Sequence, residues 1–102
     1  MLFRSCVIVA ASGNSAKATA HIAYPASDTN TIAVGATDLG DRRWLGQLDS
    51  SVGSTGGPEL DVVAPGFSIP TTQNRLWGGP YTWVTGTSAS AEIGRASCRE
   101  RV

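Results

Sequence analysis

With 102 residues, 41% of them hydrophobic, the chain has room for one globular unit at most, and eight basic against eight acidic side chains leave it without net charge. No basic stripe is present to capture nucleic acid or an anionic membrane, no apolar run reaches the roughly 18 to 20 residues of a membrane helix, and no signal-peptide pattern opens the chain. Two cysteines in unlike surroundings, Cys6 and Cys98, speak against a disulfide framework or metal cluster, while 46 Ala, Gly, Ser and Thr residues allow backbones to approach closely.

Residues 1–5 (MLFRS) back-translate to GTG CTC TTC CGA TCT, which resembles a sequencing-library adapter with GTG as start codon, so they are set aside from fold reasoning. Residues 6–11 (CVIVAA) form an unbroken apolar, β-branched run ended by Ser12-Gly13-Asn14, the pattern of a central strand buried on both faces of a parallel sheet. Residues 15–23 have a weak helical leaning, and residues 24–28 (YPASD) carry turn chemistry. A second buried strand is predicted over 31–36, a short exposed strand over 42–48, a loop over 50–58 and a third strand over 60–64. Pro65-Gly66 suits the middle of a type II turn. Another β-rich run covers 81–85, and residues 86–91 (GTSASA) open a helix. The tail from Glu92 to Val102 holds five of the sixteen charges in eleven residues, and from Ile93 onward it resembles the opposite adapter read in frame. Strands with little room for full crossover helices indicate part of an α/β layer structure with a mostly parallel sheet.

Taken singly, the chemical candidates are modest. Ser88 stands at a strand-to-helix junction, where backbone N–H groups and the helix dipole favour a developing anion; the structural alternative is an ordinary helix N-cap. Asn14 follows a buried strand and a glycine, at the end of the sheet where α/β proteins bind ligands, although Asn after Gly is also a common turn residue. His21, the single histidine, has no flanking pattern of a general base. The glycine-rich run 53–57 lacks the Gly-Lys-Ser/Thr ending of a phosphate loop and reads as plain loop. Trp44, Trp77 and Trp83 read as packing or cleft-wall residues, since no basic groove accompanies them.

Five blocks in order, VIVAASGN (7–14), YPAS (24–27), IAVGATD (32–38), DVVAPG (61–66) and GTSASA (86–91), resemble the later part of the catalytic domain of the subtilisin-like serine proteases, the subtilases. The last block is close to the G-T-S-x-A-x-P signature of the nucleophile and is worded most like kexin-type members. The resemblance runs over residues 6–91 and covers about a third of the family's catalytic domain. It implies a fragment of a three-layer α/β domain and a serine-type endopeptidase acting through an acyl-enzyme. It further implies Ser88 as nucleophile, Asn14 as side-chain donor of the oxyanion hole, and Gly86 and Thr87 as supporting motif residues. Ser12, Gly13, Ala23 and Tyr24 would wall the pocket for the residue before the cleaved bond. A weak cation site at the carbonyls of Ala26, Asp28 and Thr31 would suit a structural calcium in the full-length parent, no cofactor being required for the chemistry. The Tyr24-Pro25 bond matches one that is cis in relatives. The implied partner is a polypeptide substrate, without nucleic acid or membrane, and the implied location is extracellular.

The sequence also departs from the pattern. The aspartate and histidine blocks that belong upstream of Asn14 are not in this chain, and His21, downstream of Asn14, does not fit the family order. This predicts that the 102-residue fragment is inactive alone. The alternative reading is a non-catalytic pseudoprotease that serves as a binding module; a small nucleotide-binding module is disfavoured by the missing phosphate fingerprint. Glu92 replaces the proline of the signature, and the Arg-rich tail, with Arg95, Arg99 and Arg101, is expected to stand in place of the long buried helix after the nucleophile.

Overall fold

The computed structural model describes residues 6–100; the adapter readings of residues 1–5 and 101–102 lie outside the described residues. Three strands, β1 (Val9–Ala11), β2 (Ile32–Thr37) and β3 (Val62–Pro65), form a parallel sheet in the order β1-β2-β3. Val9 is paired with Ile32, and Val34 with Val62. A hairpin, β4 (Ile69–Thr72) and β5 (Tyr81–Val84), pairs antiparallel, with Pro70 opposite Trp83 and a short 3-10 turn, Arg75–Trp77, between the strands. The last element, α1 (Thr87–Glu100), packs across all three strands of the parallel sheet.

β2 is the strand the sequence pattern describes best, and it takes the central place. Val34 and Ala36 point toward α1: a Cβ on Gly94 would lie 3.2 Å from Val34 Cγ2. On the opposite face, Ala33 packs with Ile22 and Ala26, joined by the partly buried Ala10 and Leu60. Covered on both sides, β2 has no polar face to alternate with, hence its run of Ile, Ala, Val and Gly. Burying a side chain the size of Val34 contributes about 1.5 to 3 kcal/mol.

Among the described residues β1 pairs with β2 alone and stands at the edge of the sheet, and Val7 and Ile8 before it are exposed. Several expectations are corrected. Residues 15–23 form no helix; Ser15 bridges to Val52, and a single Ala20–Lys17 turn bond remains. Residues 42–48 make only isolated bridges at Arg43 and Leu45, and Trp44 turns inward while Trp77 and Trp83 stay exposed. Pro65 ends β3 and Gly66 does not adopt the positive φ that a type II turn requires; the positive φ falls on Ser68 instead.

The largest correction concerns the tail. α1 runs through Glu92 and Arg95 to Glu100, and Glu92 and Arg95 take the solvent side. Glu92 and Arg95 pair across 3.5 Å in the open, while Gly94 lies buried against the sheet. Glu92 and Arg95 therefore sit in the helix without entering the core.

Even so, apolar surface is left uncovered. Val62 and Val63 on β3 are 45% and 55% exposed, and the outer edges of β1 and β3 carry no partner strand among the described residues. Unpaired edges beside exposed apolar side chains template association. The isolated 102-residue chain is accordingly expected to show no cooperative thermal transition by circular dichroism and to self-associate in sedimentation velocity. A sharp, reversible melt of a monomer would contradict this.

Candidate active site

The site is built where β1 ends and α1 begins. Ser12 N–H still donates to Val34 O at 2.9 Å, and then Gly13 takes φ of +117° and turns the chain out of the sheet. A side chain there would be strained in its backbone, and its Cβ would lie 2.9 Å from Thr55 Oγ1. Asn14 is thereby carried to the surface at the C-terminal end of β1, the end of a parallel sheet that binds ligands.

From the other side, Gly86 leads into α1 with φ of +151°, its N–H donating to Gly66 O at 2.8 Å. Thr87, the first helical residue, is 1% exposed. Its backbone N–H and its hydroxyl both donate to Asn14 Oδ1 at 2.9 Å, and the hydroxyl accepts from Gly13 N–H at 3.2 Å. These contacts fix the amide orientation. A backbone N–H can only donate, so the Asn14 atom facing it must be the oxygen. Nδ2 is left on the opposite side, where a Cβ on Gly86 would be 3.4 Å away, and its two hydrogens find no protein acceptor among the described residues.

Ser88 follows directly, exposed, in the first turn of α1. Since the helix already starts at Thr87, Ser88 is not the N-cap. Its N–H belongs to the turn whose donors have no intrahelical acceptor and which carries the positive end of the helix dipole. Ser88 N–H is thus a free donor beside its own hydroxyl, and Asn14 Nδ2 is a second free donor near Gly86. Ser88 opens on a cavity of about 450 Å³ between the hairpin and α1, lined by Ile69, Val84, Ala89 and Ile93 among others.

The remaining candidates are spread more widely. Ala23 N–H donates to Ser12 O at 3.4 Å, which joins the two segments expected to wall a pocket. Tyr24 and Ala23 are exposed, and the Tyr24-Pro25 bond is cis. Ser12 is wholly buried with its hydroxyl unpartnered, so it supports this wall from behind and its side chain does not face a ligand. Asp28 is committed to its own turn: its carbonyl accepts from Thr31 N–H at 3.1 Å and its carboxylate from Asn30 N–H at 2.8 Å. A carbonyl oxygen has two lone pairs, so the bond from Thr31 does not remove the Asp28 carbonyl from the donor set it would form with the carbonyls of Ala26 and Thr31. His21 is exposed and makes no hydrogen bond to Ser88 among the described residues. The carboxyls of Asp38 and Asp49 are held below their ordinary range away from this site, chiefly by the Arg42 N–H and the Ser51 hydroxyl respectively.

One contributor escaped the sequence entirely. Thr55, in the glycine-rich run, is 2% exposed and bonds to both Gly13 and Ser15 around Asn14. No motif marks it, since its importance lies in contacts 40 residues away.

A parallel α/β sheet with an asparagine at one strand end clasped to the helix that presents a serine is the arrangement of a subtilisin-like fold. The sequence model of the subtilase family matches residues 4–93, and the chain belongs to that family. It is 46% identical over 84 residues to subtilisin NAT of Bacillus subtilis subsp. natto, a match covering 80% of this chain and 19% of that protein. With the subtilisin of Bacillus pumilus the identity is 43% over 84 residues, covering 80% and 27% respectively. Among solved structures, the prenylagaramide maturation protease PagA superposes with a TM-score of 0.65 at 27% identity, over 90% of this chain and 31% of that one. The chain therefore spans about a fifth to a quarter of the length of these subtilisins.

Proposed function

We propose that the whole protein to which this chain belongs is a serine endopeptidase that cleaves polypeptides. The observation that carries the proposal is the clasp between Asn14 Oδ1 and Thr87, which leaves Nδ2 unpaired next to the residue preceding Ser88. In the proposed reaction Ser88 Oγ attacks the substrate carbonyl carbon and gives its proton to a general base. Negative charge then develops on the carbonyl oxygen, which accepts from Asn14 Nδ2 and Ser88 N–H. Collapse of the tetrahedral intermediate breaks the C–N bond, the base returns the proton to the leaving amine, and water hydrolyses the acyl-enzyme. Among the described residues no histidine or carboxylate is bonded to Ser88, so the base is assigned to a part of the whole protein upstream of Asn14, and the 102-residue chain by itself is inactive. Donors preorganised in this way act on the transition state more than on the bound substrate, which is why they raise kcat. Secretion is proposed on the family resemblance. Neither nucleic acid nor membrane is proposed as a partner: net charge is zero, and no described helix is long and apolar enough to cross a membrane.

The test is chemical. The whole protein, incubated with a fluorophosphonate probe, is expected to acquire one adduct that mass spectrometry maps to Ser88. A folded whole protein that stays unlabelled would instead be a binding module on the same scaffold.

A further inference from the structure

We infer that Thr55 is a positioning residue that holds Asn14 in place, so that the glycine-rich run 53–57 works as a strap on the oxyanion loop and is not a passive connection. The inference rests on the proposed hydrolase reading and extends it to a residue that contributes no donor to the reacting oxygen.

The strap touches every residue of the turn that carries Asn14. Thr55 N–H donates to Gly13 O at 2.9 Å, and Gly53 N–H donates to Asn14 O at 3.1 Å. The Thr55 hydroxyl accepts from Ser15 N–H at 3.0 Å and donates to Ser15 O at 2.8 Å. One side chain thus satisfies both backbone groups of Ser15, as a neighbouring strand would, while its own backbone holds Gly13 on the other side of Asn14. Ala16 N–H continues the pairing to Ser51 O at 2.8 Å.

The strap is itself tied to the most buried strand. Ala36 N–H of β2 donates to Ser54 Oγ at 2.9 Å, Ser54 N–H donates to Trp44 O at 2.9 Å, and Trp44 N–H donates to Ala36 O at 2.9 Å. Arg43 Nε closes the outer side on Ser54 O at 2.8 Å. Close approach of this kind needs Gly53: with φ of +154°, its Cβ would meet Trp44 O at 2.7 Å. A continuous set of bonds therefore runs from β2 through residues 53–55 to both sides of Asn14. The Thr87 clasp sets which way the amide faces, and the strap sets where its backbone stands. Errors of about 1 Å in such placement cost up to roughly 10²-fold in rate.

The experiment uses the whole protein, with kcat on a peptide substrate expressed per Ser88 labelled by the fluorophosphonate, so that unfolded material does not count. Thr55→Val keeps the shape and removes both hydroxyl bonds. It is expected to lower kcat about 10-fold, with KM within about 2-fold, a smaller loss than the 10² to 10³ of deleting an oxyanion donor outright. Thr55→Ser restores the hydroxyl and recovers most of the rate. In an Asn14→Ala background Thr55→Val should change kcat by less than about 2-fold, because its effect passes through Asn14. If Thr55→Val does not accumulate, Thr55→Cys, with its weaker hydrogen-bonding group, must show the same loss confined to kcat. An unchanged kcat in the single variants, or the full 10-fold loss persisting without the Asn14 amide, overturns the strap role while leaving the hydrolase reading intact. A wild-type protein that takes no label at Ser88 overturns both.

Discussion

Ser88→Ala in the whole protein is expected to abolish fluorophosphonate labelling and to lower kcat by about 10⁶-fold, whereas Asn14→Ala should leave labelling measurable and lower kcat by about 10² to 10³-fold with little change in KM. Both magnitudes are those measured when a subtilisin loses the corresponding group. The geometry supplies the reason for two different signatures. Ser88 is exposed, and in the proposed reaction it provides the oxygen that bonds to phosphorus or carbon, so without it no adduct forms. Asn14 forms no covalent bond. Its Oδ1 is fully engaged by Thr87 N–H and Oγ1, both at 2.9 Å, so only Nδ2 is free to follow charge onto the carbonyl oxygen. A ground-state carbonyl gains little from that donor and an oxyanion gains much, which places the loss in kcat. Asn14→Asp is a sharper version of the same test: an oxygen would then stand where Nδ2 stands and repel the oxyanion, so its kcat should fall at least as far as that of Asn14→Ala. If Asn14→Ala instead raised KM and left kcat alone, the amide would be a ground-state substrate contact, and the oxyanion role would be lost.

How far the sequence announces these features depends on whether they are local. The 32–37 strand is legible because burial on both faces suppresses polar residues, leaving I-A-V-G-A-T. The 9–11 strand is legible as a strand, but which strands pair beside it is a property of the whole sheet, and nothing in V-A-A encodes that. β4 goes unrecognised since I-P-T-T contains a proline and lacks alternation; it becomes a strand only because β5 pairs with it in a two-stranded ribbon, where Pro70 needs no donor on its outer side. The helix after Ser88 outruns the expectation because the number of charges in the tail does not say which face they take: Glu92 and Arg95 pair outward while Gly94 faces in. At the site, Asn14 and Ser88 are named by short motifs, but the hydroxyls of Thr87 and Thr55 that hold Asn14 act across 73 and 40 residues and leave no local trace. Sequence motifs mark the groups proposed to face the substrate; the groups behind them emerge from packing.

That packing leads to a large expected effect on stability at Gly66. Its N–H donates to Thr37 O at 3.0 Å and its carbonyl accepts from Gly86 N–H at 2.8 Å, so it fastens β3 to β2 on one side and to the start of α1 on the other. A Cβ added there would overlap Ser90 Oγ, and would lie 2.6 Å from Ala36 Cβ and 2.8 Å from Gly86 O. Ser90 can rotate, but Ala36 Cβ is fixed to the central strand and Gly86 O is backbone, so relief requires α1 to slide away from the sheet. Gly66→Ala in the whole protein is therefore expected to cost about 3 kcal/mol, at the upper end for overpacking. In a domain of about 250 residues or more that lowers Tm by about 6 °C at most. Gly78→Ala provides the contrast: Gly78 has φ of +107° but no atom within 4 Å of a Cβ, so only backbone strain of about 1 to 2 kcal/mol is at stake. Removing the Ser90 hydroxyl as well, in Gly66→Ala/Ser90→Ala, should recover only part of the loss, because the Ala36 and Gly86 contacts remain. Should Gly66→Ala melt within about 2 °C of the parent, the close contact between β2, β3 and the start of α1 would not exist, and the clasp of Asn14 by Thr87 would lose the support that keeps Ser88 beside it.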